Sequence, residues 1–488
     1  MAISTIGSNS LNPTSDLVID GVTVGKGGGS ASQTTVVGAG AVAATNTGDY
    51  LTAVGYVALA ANTSGTQNSA FGRQALQQNT TGSYNTGLGH TSLYGNTTGS
   101  FNTAVGRDSL FSNTAAGNNT AVGYQAGYSA TGANATAIGY QAGYSNTDSN
   151  GGVFIGYQSG KGNTSGNNNV SVGALALTTN TTGDNNTTVG GNSLQNNTTG
   201  AYNTALGNQA LRNNTTASAN TSLGYQAGYS NTTAQYNVFI GANAGYSNTA
   251  YGNHTVIGYA AGYSNVNGNL NTFIGYASGY SSNPSVANTN SFNCFMGYYS
   301  GYGVTTGGKN TFIGGNAPGY LVTTGNSNTI LGNHSGNQDG LDIRTANNYV
   351  VLSDGDGNRA AYWQSGGGWV QKNNSTSWST YSDQRIKENI VDLSDGLKTI
   401  TALRPVEFDY KIGDKQHDIG FIAQEYQTVL PKQIVESTSG GEEIQALTNN
   451  EPLLSIQQNL VPYLVKAIQE LKAINDSLVA RIEALEAK

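Results

Sequence analysis

The sequence predicts a mainly β protein: a trimeric β-solenoid, or β-roll, of 17-residue repeats, followed by an α+β domain that ends in a coiled-coil helix. Three observations carry that expectation. One glycine recurs at a fixed spacing along most of the chain. Charged residues make up only 10% of the 488 positions, where soluble globular proteins carry roughly a quarter. The composition then changes abruptly at residue 382.

The recurring glycine falls at 38, 55, 72, 89, 106, 123, 139, 156, 173, 190, 207, 224, 241, 258, 275, 297, 314 and 332. Of the 17 intervals, 14 are 17 residues and the others are 16, 22 and 18. The stretch NTAVGYQAGYS (119–129) accordingly returns almost unchanged at 135–145 and 220–230. The residue before the glycine is apolar in all eighteen copies, and the third residue after it is Ala or Ser. Asn usually stands four before, and Leu (59, 76, 93) or Gly (127, 143, 228) four after. An apolar residue followed by Gly describes a short strand ending where φ must be positive or another backbone comes close. On this reading Val122 fills the core, Gly123 makes the turn and Ala126 lets neighbouring backbones or chains approach. The recurring Asn forms a ladder that satisfies polar atoms rung by rung.

With one repeat per rung at about 4.8 Å, eighteen rungs make a rod on the order of 85 Å long. Each coil offers few inward apolar side chains to offset roughly 1–2 kcal/mol of backbone entropy per residue. Three identical chains sharing one axis would bury more, so a homotrimer is the expected assembly.

The totals exclude several functions. A net charge of −7 argues against nucleic acid, which needs dense Lys and Arg. A lone cysteine, Cys294, and four widely separated His give no ligand spacing, so no metal and no cofactor are expected. The N-terminal MAISTIGSNSLNPTSD has neither a basic nor an apolar signal region, and no run of about 18 apolar residues occurs. The expectation is a chain made in the cytoplasm without a signal peptide and without membrane insertion. Between 38 and 336 only nine charged residues occur, too few for a catalytic pocket. The flank of the rod offers amides, hydroxyls and Tyr124, Tyr128, Tyr140 and Tyr144. These tyrosines either stack along the rod or also touch a receptor, with carbohydrate among the candidate partners.

The organisation expected is a lead-in or attachment segment at 1–33, the repeat shaft at 34–336, a β-rich neck at 337–381 and a separate domain at 382–488. The neck holds all three Trp and the DGDGN of NNYVVLSDGDGNRAAYWQ, which reads as a hairpin turn. It lacks the liganding Glu of an EF-hand loop. In the last domain 28 of 107 residues are charged, and Glu, absent from the first 387 residues, becomes common. Its final helix places Val461, Leu464, Ile468, Leu471, Asn475, Leu478, Ile482 and Leu485 three and four apart as a and d positions. Asn475 at an a position is the register-setting residue. The alternative is an amphipathic helix packed on its own domain.

Four motifs in order resemble a known family: YSDQRIKENI (381–390), LRPVEFDY (403–410), GFIAQEYQTVLP (420–431) and LVKAIQEL (464–471). Together they are similar to the intramolecular chaperone of bacteriophage tail spikes and fibres, the endosialidase type. The repeats likewise resemble the head repeats of trimeric adhesins and the repeats of phage tail fibres. The resemblance implies a domain that drives trimerisation upstream and then cuts itself off before the serine of S-D-x-R-x-K. Carried onto this chain, the nucleophile is Ser382, the base Lys387 and the cleaved bond Tyr381–Ser382, with Asp383 and Arg385 in support. A lysine serves as base when burial or a cationic neighbour such as Arg385 lowers its pKa. Ser382 must then sit off any helix carrying Lys387, because residues five apart on a helix are well out of phase. The competing role is a simple cap: Ser382 or Asp383 at the start of a helix near Gln384.

The expectation is therefore a structural, host-recognising tail-fibre protein of the virion, held through its N-terminus by other tail proteins. Its one enzymatic act is serine protease self-cleavage, with no foreign substrate. The alternatives are a cellular adhesin or ice-binding solenoid and, less compatible with so few carboxylates, a polysaccharide depolymerase.

Overall fold

The computed structural model describes residues 17–19, 22–25, 33–147, 150–266, 268–281, 291–364, 369–371, 391–409, 417–431, 434–437, 453–456 and 460–487. The chain forms two compact units, Met1–Ser379 and Thr380–Lys488.

In the first unit, a hairpin of β1 (Leu17–Ile19) and β2 (Val22–Gly25) pairs antiparallel with β3 (Thr35–Val37). From β3 to β20 (Thr329–Leu331), eighteen strands follow one per coil, each parallel and in register with the next. This is the β-solenoid, and the recurring glycine directly follows the strand in most coils. Each strand is only three residues in most coils, as in Thr120–Val122, and the rest of the coil is turns. Those turns also bond coil to coil: Gly72 N–H donates to Val54 O at 2.8 Å, and Leu76 N–H to Ser92 O at 2.9 Å. The backbone of an otherwise thin rod is thereby paired around its circumference.

Strand alternation decides what is inside. In Thr120-Ala121-Val122 the middle residue is fully buried, while Val122 is 36% exposed. The invariant apolar column before the glycine thus faces outward, not into the core as its periodicity suggested. A three-residue strand presents its first and third side chains to one face and its second to the other. Ala126 is wholly buried in the coil's own interior, so it does not mark an approach between chains. In the last two copies that buried place passes to Pro318 and His334, not to Ala317 and Ser335.

The glycine is required twice over. Gly123 has φ 138°, and a Cβ there would strike the Gly139 carbonyl of the next coil. Asparagine builds two internal ladders instead of the single one expected. In one, Asn79 Nδ2 donates to Asn62 Oδ1 and Asn96 Nδ2 to Asn79 Oδ1, both at 2.7 Å. In the other, the Asn85 backbone N–H donates to Asn68 Oδ1 at 2.9 Å. Where the second ladder reaches His254, the ring takes the place of an amide: the His254 backbone N–H donates to Asn237 Oδ1, and ring Nδ1 accepts from the Asn271 backbone N–H. His254 is buried there, which pushes its pKa down to about 4.

The neck extends the sheet. After a short hairpin of β21 (Asn337–Gln338) and β22 (Leu341–Asp342), β23 (Tyr349–Ser353) pairs parallel with β20, and β24 (Arg359–Gln364) and β25 (Trp369–Gln371) add antiparallel strands. The expected DGDGN hairpin joins β23 to β24, its turn closed by Asp354 Oδ1, which accepts from the N–H groups of Asp356 and Asn358.

The second unit contains α1 (Gly396–Ala402), β26 (Pro405–Asp409) paired with β27 (His417–Phe421), and α2 (Ala423–Val429). There follow β28 (Ile434–Ser437), paired with β29 (Leu453–Ile456), and α3 (Val461–Glu486). Among the described residues, no helix is long and apolar enough to cross a membrane.

Candidate functional site

The proposed dyad, Ser382 and Lys387, lies outside the described residues, as do Tyr381, Asp383 and Arg385. What the structure describes is the domain around that segment and the helix that ends it.

Helix α3 carries two different faces. Ala467 is buried, with Tyr463, Lys466 and Glu470 partly covered on the same stripe, and this face packs on α1. The approach is close enough that a Cβ on Gly396 would lie 2.6 Å from Ala467 N. Helix α1 has no side-chain cap of its own. Glu470 supplies one from α3, accepting from Leu397 N–H at 2.7 Å and Gly396 N–H at 3.3 Å. The carboxylate satisfies two orphan donors and complements the positive end of the helix. The heptad pattern drew attention to the other face, so sequence reasoning missed this contact; the 463, 466, 467, 470 spacing was its available signal.

The other face is the seam. Leu464, Ile468, Leu471, Leu478, Ile482 and Leu485 are all exposed, and so is Asn475. The helix therefore docks on its own domain by one stripe, the arrangement expected as the alternative, and leaves the a/d stripe exposed. Elsewhere in the domain, Arg404 grips Glu425 through Nε and Nη2, which holds the Glu425 carboxyl below its usual range. Tyr426 is buried edge-on against Phe421, ring centroids 5.5 Å apart.

On the rod, the tyrosines form two parallel ladders. Tyr124, Tyr140 and Tyr157 stack at 5.4 and 5.3 Å, and Tyr128 and Tyr144 at 5.0 Å. Towards the far end the same two rows contain Tyr259 with Tyr276 and Tyr263 with Tyr280, each pair at 5.2 Å. Stacking along the shaft, expected as one of their two roles, is thus their observed arrangement.

Residues 382–435 match the family model for the chaperone of endosialidase. The matched stretch opens on Ser382 and includes Lys387. The chain thus carries a chaperone domain of this type behind a β-solenoid, an organisation that fits a tail-fibre- or tail-spike-type protein with a C-terminal chaperone. No solved structure matches the chain.

Proposed function

We propose that this chain is the subunit of a homotrimeric bacteriophage tail fibre whose C-terminal chaperone assembles the shaft and then releases itself. The observation that carries the reading is the family match at 382–435 in a chain whose preceding unit is an eighteen-strand solenoid, with its neck, that has an unpartnered apolar face. That face holds Val, Phe, Leu, Ile or Met before every repeat glycine and no charged residue. Leu88 is 47% exposed and Val189 42%, so the column is an open stripe. An occupant that covers it must repeat at the pitch of the coils, and a second and third copy of the same solenoid do so by construction. The exposed seam of α3 supplies a further contact in the same chain.

Self-release follows ordinary acyl chemistry. Ser382 Oγ attacks the Tyr381 carbonyl carbon as Lys387 takes the hydroxyl proton. The Ser382 nitrogen is protonated as the C–N bond breaks, leaving an ester between Tyr381 and the Ser382 side chain. Water then hydrolyses the ester to a Tyr381 carboxylate and a free Ser382. The fibre's N-terminal segment is held by other virion tail proteins, and its shaft meets the host surface.

Replacing Val105, Val122 and Ile138 together by Asp tests the assembly. Each is outside the buried interior of its coil, so the variant should keep its β spectrum and sediment as monomers. An unchanged trimer would contradict this use of the face. A second reading, a binding solenoid without self-cleavage, draws on the same face, whose flat Thr-x-apolar array suits an ice or mineral surface. It requires the face to stay uncovered, so the sedimentation result separates the two.

A further inference from the structure

Where Tyr124 and Tyr128, Tyr140 and Tyr144, and Tyr225 and Tyr229 flank it, the trough between the two tyrosine ladders is filled by Gln125, Gln141 and Gln226. The residue two after the repeat glycine lies between them, and where it is Gln the amides join across coils. Gln141 Nε2 donates to Gln125 Oε1 at 2.9 Å, Gln158 to Gln141 at 3.0 Å and Gln226 to Gln209 at 2.7 Å. At 260 and 277 this residue is Ala. The trough opens there into a cavity of about 390 Å³, with Tyr259 and Tyr276 on one wall, Tyr263 and Tyr280 on the other, and the alanines among its lining. That volume lies within the range of small-ligand sites. Tyr299 also lines the cavity, its ring at 83° to Tyr276 and 82° to Tyr302. Its phenol pKa is raised, first by the hydrogen bond to Tyr298.

The chemistry of the lining narrows the ligand. From 213 to 308 the sequence contains no Asp, Glu, Lys or Arg. A phosphate, carboxylate or ammonium entering the trough would lose water and find no opposite charge. A purely apolar ligand would cover phenol hydroxyls and the Asn243 amide without pairing them. A ligand with a hydroxyl edge and a C–H face pairs with the phenol hydroxyls and covers the half-exposed rings of Tyr259 and Tyr276, above alanines that are themselves buried.

We propose that this trough is a binding site for an uncharged oligosaccharide, the point at which the shaft reads a host surface. The inference rests on the host-recognition reading above and adds a place and a ligand class to it.

The test uses the protein's own repeats: Ala260→Gln with Ala277→Gln restores the residue that fills the trough in other coils. Full-length wild type and variant are assayed on immobilised neutral hexose and N-acetylhexosamine oligomers and on sialylated and sulfated counterparts, alongside sedimentation. Wild type should bind neutral oligomers in preference to charged ones, and the variant should bind them at least about tenfold more weakly, with its assembly unchanged. Tyr299→Ala, which opens one boundary of the trough without touching its floor, should weaken the same binding. Wild type that binds no neutral oligomer or prefers charged ones overturns the proposal, as does a filled variant that binds like wild type. A monomeric chain that still binds neutral oligomers, and loses them on filling, would contradict the trimeric fibre and leave the trough standing.

Discussion

A methyl group placed on Gly160 would fall inside the space of the Phe154 ring, and one placed on Gly143 in the preceding coil would lie 2.9 Å from Phe154 Cδ2. The ring occupies what the side chain four after the repeat glycine fills elsewhere. Ala53, Ala70 and Ala104 share their coils with Leu59, Leu76 and Leu110, all buried. Phe239, Phe273 and Phe312 instead sit against Gly245, Gly279 and Gly319. In these coils the core holds either a small residue with Leu or Phe with Gly, and where Ala137, Ser222 and Val256 share a coil with Gly143, Gly228 and Gly262, the Phe ring of the next coil reaches the glycine.

This exchange is testable as a cycle. Phe154→Ala should cost about 3–5 kcal/mol through the cavity it leaves, and Gly160→Leu alone should overpack and destabilise the same coils. The double variant recreates the Ala/Leu coil, so it should be less destabilised than the sum of the singles by more than 1 kcal/mol or so. Urea unfolding of the full chain followed by circular dichroism measures all three, and strict additivity would contradict the packing.

The Asn ladder predicts an unusual ordering. Asn180 Nδ2 donates to Asn163 Oδ1 and to Gly183 O, at 2.6 and 2.9 Å. Asn180 Oδ1 also accepts from Asn197 Nδ2 at 2.7 Å, so Asn180→Ala loses three bonds, about 1.5–4.5 kcal/mol, and Ala130 already stands in this ladder at 1% exposure. Asn180→Asp puts an acceptor, buried and charged, against two acceptors, so this near-isosteric change should be the more damaging. Melting temperatures of the two variants at neutral pH decide the order.

His254 predicts a pH dependence with a definite sign. Unfolded, the ring titrates near 6.5; folded, near 4. Above pH 6.5 both states are neutral and the ring adds no slope. As pH falls towards 4, the unfolded chain takes up a proton that the folded chain refuses, and stability drops by about 3 kcal/mol before levelling off. His254→Asn restores the ladder's usual residue and should remove most of that slope. A smaller slope of the same sign persists, because burial also lowers His334. Unfolding midpoints between pH 4 and 7 for both chains provide the check.

Glu470 predicts a local effect in the chaperone domain. Glu470→Ala removes the acceptor for Gly396 and Leu397 and should lower protection of those two amides to hydrogen exchange. The cost is about 1–2 kcal/mol, with the solenoid amides unchanged.

Much of the shaft was legible in the sequence because its period is strict. The glycine phase located the strands, and the Asn column announced a ladder. The inward and outward sides were not legible. Val122 and Ala121 are adjacent and both apolar, and with a strand of three residues the longer alternation that usually reveals a buried face is missing. The Leu-or-Gly choice at 110 and 160 was visible but unexplained, since it is set by a ring that packs across coils. In the last domain the heptad pattern was legible, whereas the Glu470 contact joins residues more than seventy positions apart, and the 463, 466, 467, 470 spacing marks only the α3 side of it.

A trimer that sheds its chaperone is tested by the mass of the assembled chain, native and denatured, for wild type and Ser382→Ala. Wild type should give a native trimer of chains ending at Tyr381, together with a fragment starting at Ser382. Ser382→Ala should give a trimer of intact chains. A folded wild-type trimer of uncut chains would contradict the release, and an uncut, folded monomer would contradict the whole account.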